Sequence, residues 1–115
     1  ERGTKVYSGR STNWTGKVGL IYPSDYGYAS TDTTCRSGLS SSNCKNENWL
    51  FNSEYQWTLS TGSDFAAFVF RVRSDGDVSN SGAQANYGVR PALFLKSDVV
   101  INDGTGTSSD PFVLK

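Results

Sequence analysis

The chain contains no histidine, which removes the usual general base, the commonest zinc ligand and every catalytic triad built on an imidazole. It contains no methionine and starts at Glu1, as expected of a processed chain or an excised segment whose signal peptide or anchor lies elsewhere. No stretch comes near the roughly 20 apolar residues of a membrane span. Neither sign of charge is in excess: 11 Lys+Arg balance 11 Asp+Glu, and the pI is near 6.5. A broad nucleic-acid footprint needs a basic face, so nucleic acid is not an expected partner. Proline is scarce at 3, and Lys and Glu, the usual occupants of exposed helix faces, are also few. No apolar repeat at i, i+3, i+4, i+7 is sustained, so helix content is expected to be low.

What is abundant is Ser (17), Gly (12), Thr (10) and Asn (8) in 115 residues. That bias toward short polar side chains and turns suits an exposed, mostly antiparallel β protein with long loops, and the length fits one domain over residues 1–115. Three Trp, six Tyr and six Phe supply the large apolar units for one modest core.

Cys35 and Cys44 enclose eight residues, nearly all small or polar, with Leu39 the one aliphatic side chain. A stapled loop is the favoured reading and two unrelated thiols the alternative. No histidine or third cysteine is present to complete a metal site. A disulfide would remove on the order of 2.5–3 kcal/mol of unfolded-state freedom and would place the chain outside the reducing cytosol.

Along the chain, residues 1–16 offer only Val6, Tyr7 and Trp14 as anchors. Val18 to Tyr22 reads as a short buried strand stopped by Pro23, after which Ser24 or Asp25 caps a brief helix through Ala29. Trp49, Leu50, Phe51, Tyr55 and Trp57 read as core. From Phe65 to Arg73 the pattern alternates, with Ala66, Phe68, Phe70 and Val72 on one side and Ala67, Val69, Arg71 and Arg73 on the other. Ser74-Asp75-Gly76-Asp77 is a hairpin turn of the Asp-Gly type, and Val78 begins the returning strand. Tyr87 to Leu95 reads as a further long strand, with Pro91 at an edge or bulge. A last hairpin joins Val99-Val100-Ile101 to Pro111–Leu114 and is expected to support the scaffold.

No catalytic constellation emerges. Asp75 and Asp77 are explained by turn chemistry, and Gly104-Thr105-Gly106-Thr107 lacks the lysine and helix of a phosphate loop. Asn13-Trp14-Thr15 fits the glycosylation triplet by chance in so Asn/Thr-rich a chain. Calcium is the one ion whose ligand pattern the loops approach, at Asn102, Asp103 and Asp110 and around Asn46-Glu47-Asn48, without matching a known loop type. No cofactor is expected. The candidate ligand-binding set is the outward row of the ribbon and the segment after it: Arg71, Arg73, Asp75, Asp77, Ser79, Gln84, Asn86 and Tyr87. It mixes donors and acceptors on a rigid sheet.

Residues 17–29 (KVGLIYPSDYGYA), Gln56-Trp57-Thr58-Leu59-Ser60 and Tyr87-Gly88-Val89-Arg90-Pro91-Ala92-Leu93 together resemble a bacterial surface-protein family of gut Firmicutes and their phages. Its closing segment is matched by Leu95-Lys96-Ser97-Asp98 and by residues 104–111 (GTGTSSDP), and the likeness covers about residues 14–115. Members are often the distal part of longer chains that begin with a pilin-like or secretory segment. Gly88-Val89-Arg90 resembles the Gly-Phe-Arg near the end of formylglycine-generating-enzyme-like domains, which implies a C-type-lectin-like α+β fold with one or two short helices. The late catalytic cysteines of those enzymes have no counterpart, so the resemblance implies a scaffold without activity. Related variable proteins are diversified by retroelements in a region that here would be Ala67 to Asn86. The expectation is therefore an extracellular or virion-borne adhesion module that recognises a protein or glycan receptor on a cell surface. The alternative is a pilus or surface-layer subunit that self-associates through sheet edges.

Overall fold

The computed structural model describes residues 15–63, 65 and 67–115; Val6, Tyr7, the Asn13-Trp14 pair and Ala66 lie outside them. A four-stranded sheet organises the rest. Its strands are β2 (Gln56–Thr61), β3 (Phe68–Val72), β4 (Val78–Gly82) and β5 (Gly88–Val89), in the spatial order β4-β3-β2-β5. The first three pair antiparallel in sequence, and β5 joins β2 in parallel. Two smaller pairs flank the sheet: β1 (Gly19–Leu20) with β6 (Pro91–Ala92), and β7 (Ile101–Asp103) with β8 (Val113–Leu114). Helix α1 (Pro23–Tyr28), helix α2 (Thr33–Ser37) and a 3-10 turn at Ser42–Lys45 precede the sheet. The described residues thus form a small α+β domain, mostly antiparallel, with two short helices.

The expected alternation shows in burial only next to the turn, since Phe68 to Arg71 are all half-buried and Asn80, opposite Phe70, is exposed. Val72 and Val78, paired across the hairpin, are both buried, and Phe70 packs against the same core. The core itself is small: Ile21, Tyr26, Ala29, Cys35, Cys44, Leu50, Val72 and Val78, with Leu39, Phe51, Phe70 and Ala92 against it. Cys35 and Cys44 form the disulfide, both fully buried, so the staple doubles as core. The loop that it closes is fastened to the sheet where Val78 N–H donates to the Leu39 carbonyl at 3.0 Å. Gly27 faces Leu39 so closely that a Cβ there would stand 2.5 Å from Leu39 Cδ2. A larger residue would require the Leu39 side chain to turn aside.

Several expected boundaries move. The buried strand at Val18–Tyr22 shrinks to β1, because only Ile21 is buried while Val18 and Tyr22 are about half exposed. Pro23 does not merely stop that strand. It opens α1, where its missing N–H costs nothing, and Asp25 accepts the Tyr22 N–H at 2.8 Å. The ribbon strand is confined to Phe68–Val72. Its turn spans three residues rather than two: Gly76 N–H donates to the Arg73 carbonyl, and Arg73 N–H to that of Asp77. Gly76 takes φ of 89°, the left-handed closing position that such a loop needs.

The long strand at Tyr87–Leu95 breaks into β5 and β6, which serve different sheets. Pro91 has no N–H to extend a ladder, and between the two pieces Arg90 turns away to donate to the Leu50 carbonyl at 2.8 Å. The last hairpin forms, with Val100 and Lys115 bonded in both directions. It adds nothing to the core, however, since β7 and β8 are exposed along their whole length.

Candidate functional site

Residues that face each other directly across neighbouring strands share a side of the sheet. By register, Ser79, Arg71, Trp57 and Val89 therefore form one row across β4, β3, β2 and β5. Val78, Val72, Gln56 and Gly88 form the adjacent row on the core side. In β2 the phase is opposite to hydropathy, because Gln56 and Thr58 are buried while Trp57 is half-exposed and Leu59 exposed. Hydrogen bonds account for it. Thr58 Oγ1 donates to the Phe70 carbonyl at 2.8 Å, and Gln56 Nε2 donates to Asn52 Oδ1, so both polar groups are satisfied inside.

On the outer side, Tyr55 just before β2 and Tyr87 just before β5 stack with ring centres 5.0 Å apart at 18°. Trp57 meets Tyr87 at 4.8 Å with the rings tilted by 53°. The Arg71 guanidinium carbon lies 5.4 Å from the Tyr55 ring centre and 5.2 Å from that of Tyr87, both within cation–π range. Arg71 NH1 donates to the Asn80 carbonyl at 2.9 Å, and its Nε is sealed off without a partner. Among the described residues no carboxylate pairs with Arg71.

Arg73 is different. Its NH1 lies 3.2 Å from Asp77 Oδ2 and its Nε 3.8 Å from Asp75 Oδ1, so the turn carboxylates neutralise it. Hydrogen bonds with Arg73 and Ser74 hold the Tyr55 phenol below its ordinary value. The Tyr55 hydroxyl first, then Asp75 and Asp77, hold Arg73 in its charged form. The site thus carries one ring ledge, one neutralised cation and one cation that pairs with no carboxylate among the described residues.

Of the expected set, the fold gathers Arg71, Arg73, Asp75, Asp77, Ser79 and Tyr87 on or beside one face. Gln84 and Asn86 are exposed on the loop between β4 and β5. A Cβ on Gly82 would meet Gln84 Oε1 at 2.4 Å, and Gly82 pairs with Phe68 on the core-side row. Gln84 therefore folds toward the side opposite Arg71. Tyr55 and Trp57, expected in the core, belong to the outer ledge instead. Trp49 is a clearer correction: expected in the core, it is 78% exposed. Its neighbours explain why, since Leu50 is buried and Asn48 turns inward, donating to the Tyr26 and Cys44 carbonyls while accepting from Leu50 N–H. With both flanking residues committed inward, Trp49 is left at the apex of a tight turn.

The oxygens near the suggested calcium positions are engaged locally. Asp110 accepts from Thr105, and Asp103 from Gly104 N–H. Among the described residues no group of three or more acidic or thiol side chains is arranged to hold a metal, and no helix is long and apolar enough to cross a membrane. Comparison of the chain with protein-family models, with curated proteins and with solved structures finds no match.

Proposed function

We propose that the chain is a non-enzymatic recognition module working outside the cell, which binds a protein or glycan receptor through the outer face of its main sheet. The observation that carries this reading is Arg71: a cation with no carboxylate partner among the described residues, set against two stacked tyrosines beside a half-exposed tryptophan. Aromatic and arginine side chains are the groups that most often anchor interfaces. Because the sheet's other face is the domain's core, the ledge is held in place before a ligand arrives, which lowers the ordering cost of binding. The buried disulfide favours an oxidising compartment. A C-type-lectin-like scaffold, with residues 67–86 as a diversified surface, is the finer form of the same proposal; it rests on the resemblance of the Gly88-Val89-Arg90 region.

A glycan array and cell-surface binding screen, with and without calcium, tests the reading. Arg71→Ala and Trp57→Ala are expected to weaken any binding found by at least about 30-fold, the scale of an interface hot spot, while thermal unfolding changes little. Gln84→Ala, on the far side, should leave binding intact. Binding that survives both ledge variants would overturn the proposal.

A second reading, a structural subunit joined through sheet edges, is favoured by the terminal hairpin. There, among the described residues, β7 and β8 pair only with each other, and Ile101, Phe112, Val113 and Leu114 are all exposed. Polymers that grow with concentration and vanish on removal of residues 99–115 would support it.

A further inference from the structure

A groove of about 660 Å³, lined by none of the ledge residues Tyr55, Trp57, Arg71 and Tyr87, runs between β1, α1, Leu59 of β2, the Trp49 turn and the segment after β6. Its walls are mostly apolar. Tyr28, Trp49 and Phe94 stand along it at 71%, 78% and 102% exposure. At roughly 150–250 Å² per aromatic side chain, these three alone present on the order of 500 Å². Tyr22, Leu59 and Leu93, each at least 40% exposed, enlarge the patch beyond what a monomer usually leaves open, roughly 300–600 Å². The total approaches the roughly 800 Å² per partner of a stable interface.

We infer that a second copy of this chain covers the groove, in a two-fold symmetric dimer. A two-fold interface brings the same patch together with itself, so that patch must be self-complementary. Here one patch holds both a knob and a hole: Phe94, wholly exposed, borders the groove that a Phe94 from another copy would enter. The charges obey the same rule. Lys17 and Asp25 are the two charged residues that line the groove, one of each sign, so a two-fold axis offers each Lys17 an Asp25 of the other copy. Zero net charge means that the copies have no overall repulsion to overcome. None of Tyr55, Trp57, Arg71 and Tyr87 lines the groove, so such a dimer doubles the valency of the proposed binding surface.

Sedimentation equilibrium of the whole chain over about 1 µM to 1 mM, the span of weak to moderate association, tests the inference. A reversible dimer is expected. Phe94→Asp, at a position whose side chain touches no packed core, should weaken dimerisation by at least about 30-fold with an unchanged near-ultraviolet circular dichroism spectrum. Lys17→Glu, which sets like charges together, should weaken it several-fold and more so at low salt. A chain that stays monomeric throughout leaves the groove to a different occupant and overturns the inference. So does a dimer indifferent to Phe94→Asp, or an assembly abolished instead by Val113→Asp in the terminal hairpin.

Discussion

The Tyr26 hydroxyl reaches the Gly76 carbonyl at 3.3 Å across 50 positions of sequence, joining the first helix to the tip of the β3–β4 turn. Tyr26 is fully buried, and burial first, then the charge of Asp75, push its phenol up to about 12. Folding therefore favours the protonated phenol. Below the ordinary value of 10.0 both folded and unfolded chains carry the proton, and the contribution is fully present. As pH climbs from 10 to 12 the unfolded chain ionises first, and stability on the order of 3 kcal/mol is lost. Tyr26→Phe removes that dependence together with one hydrogen bond. It should be less stable than the parent by about 1 kcal/mol near pH 8 and more stable above about pH 11. Urea unfolding across that range reads the crossover.

Gly76, the acceptor of that bond, has its own constraint. Its φ is 89°, and a Cβ there would stand 2.6 Å from Lys45 Cβ and 2.9 Å from Lys45 N. The left-handed backbone alone costs a side-chain-bearing residue roughly 1–2 kcal/mol, and the contact with Lys45 backbone cannot relax by a rotamer change. Gly76→Ala is expected to lose more than about 2 kcal/mol and to displace the 3-10 turn, measurable by denaturant midpoint at unchanged m-value.

The disulfide closes a short loop, so its entropic contribution is modest, about 2.7 kcal/mol for ten residues on the chain-entropy relation. Both sulfurs are nevertheless in the core. Cys35→Ala with Cys44→Ala should therefore cost at least that amount, with the packing loss added. Urea unfolding of the double variant checks this. A variant as stable as the parent would show that the loop is held by Leu39 and the Val78 bond alone.

The β3–β4 ribbon was legible in sequence because a short β-rich apolar segment, ended by an Asp-Gly pair, leaves few other solutions. The closing hairpin and the Cys35–Cys44 loop were legible for similarly local reasons. The ledge was not. A run of aromatics between Trp49 and Trp57 announces large apolar area without saying which side of the chain it falls on. What decides the side is hydrogen bonding from far away, with Thr58 bonded to Phe70 and Asn48 bonded to Tyr26 and Cys44. Once those polar groups are satisfied inside, Trp57 and Trp49 must turn outward. The split between β5 and β6 was hidden in the same way, because Arg90 looks like a strand residue until its long-range bond to Leu50 is known.

That bond also makes a prediction. Arg90 is half-buried and supplies a charged donor to a backbone carbonyl, a class of hydrogen bond worth about 1.5–3 kcal/mol. Arg90→Ala should lose stability in that range and loosen the Trp49 turn. Hydrogen exchange at Leu50 and Phe51 amides, whose bonds run to Asn48, should accelerate more than exchange in β3. Uniform acceleration everywhere would mean that Arg90 acts on the whole fold and not on the turn.

Trp49 and Leu50 are adjacent yet lie on opposite sides of the chain, with Trp49 78% exposed and Leu50 5%. Truncating each to alanine separates size from burial. Leu50→Ala opens a cavity in the core cluster and should cost about 2–5 kcal/mol. Trp49→Ala removes the larger side chain but little buried contact, so its effect should stay within about 0.5 kcal/mol. Both are measured at protein concentrations well below any self-association, so that only the fold of the single chain is read. If Trp49→Ala proved the more damaging of the two, the tryptophan would be core after all, and the groove that it borders would not exist in solution.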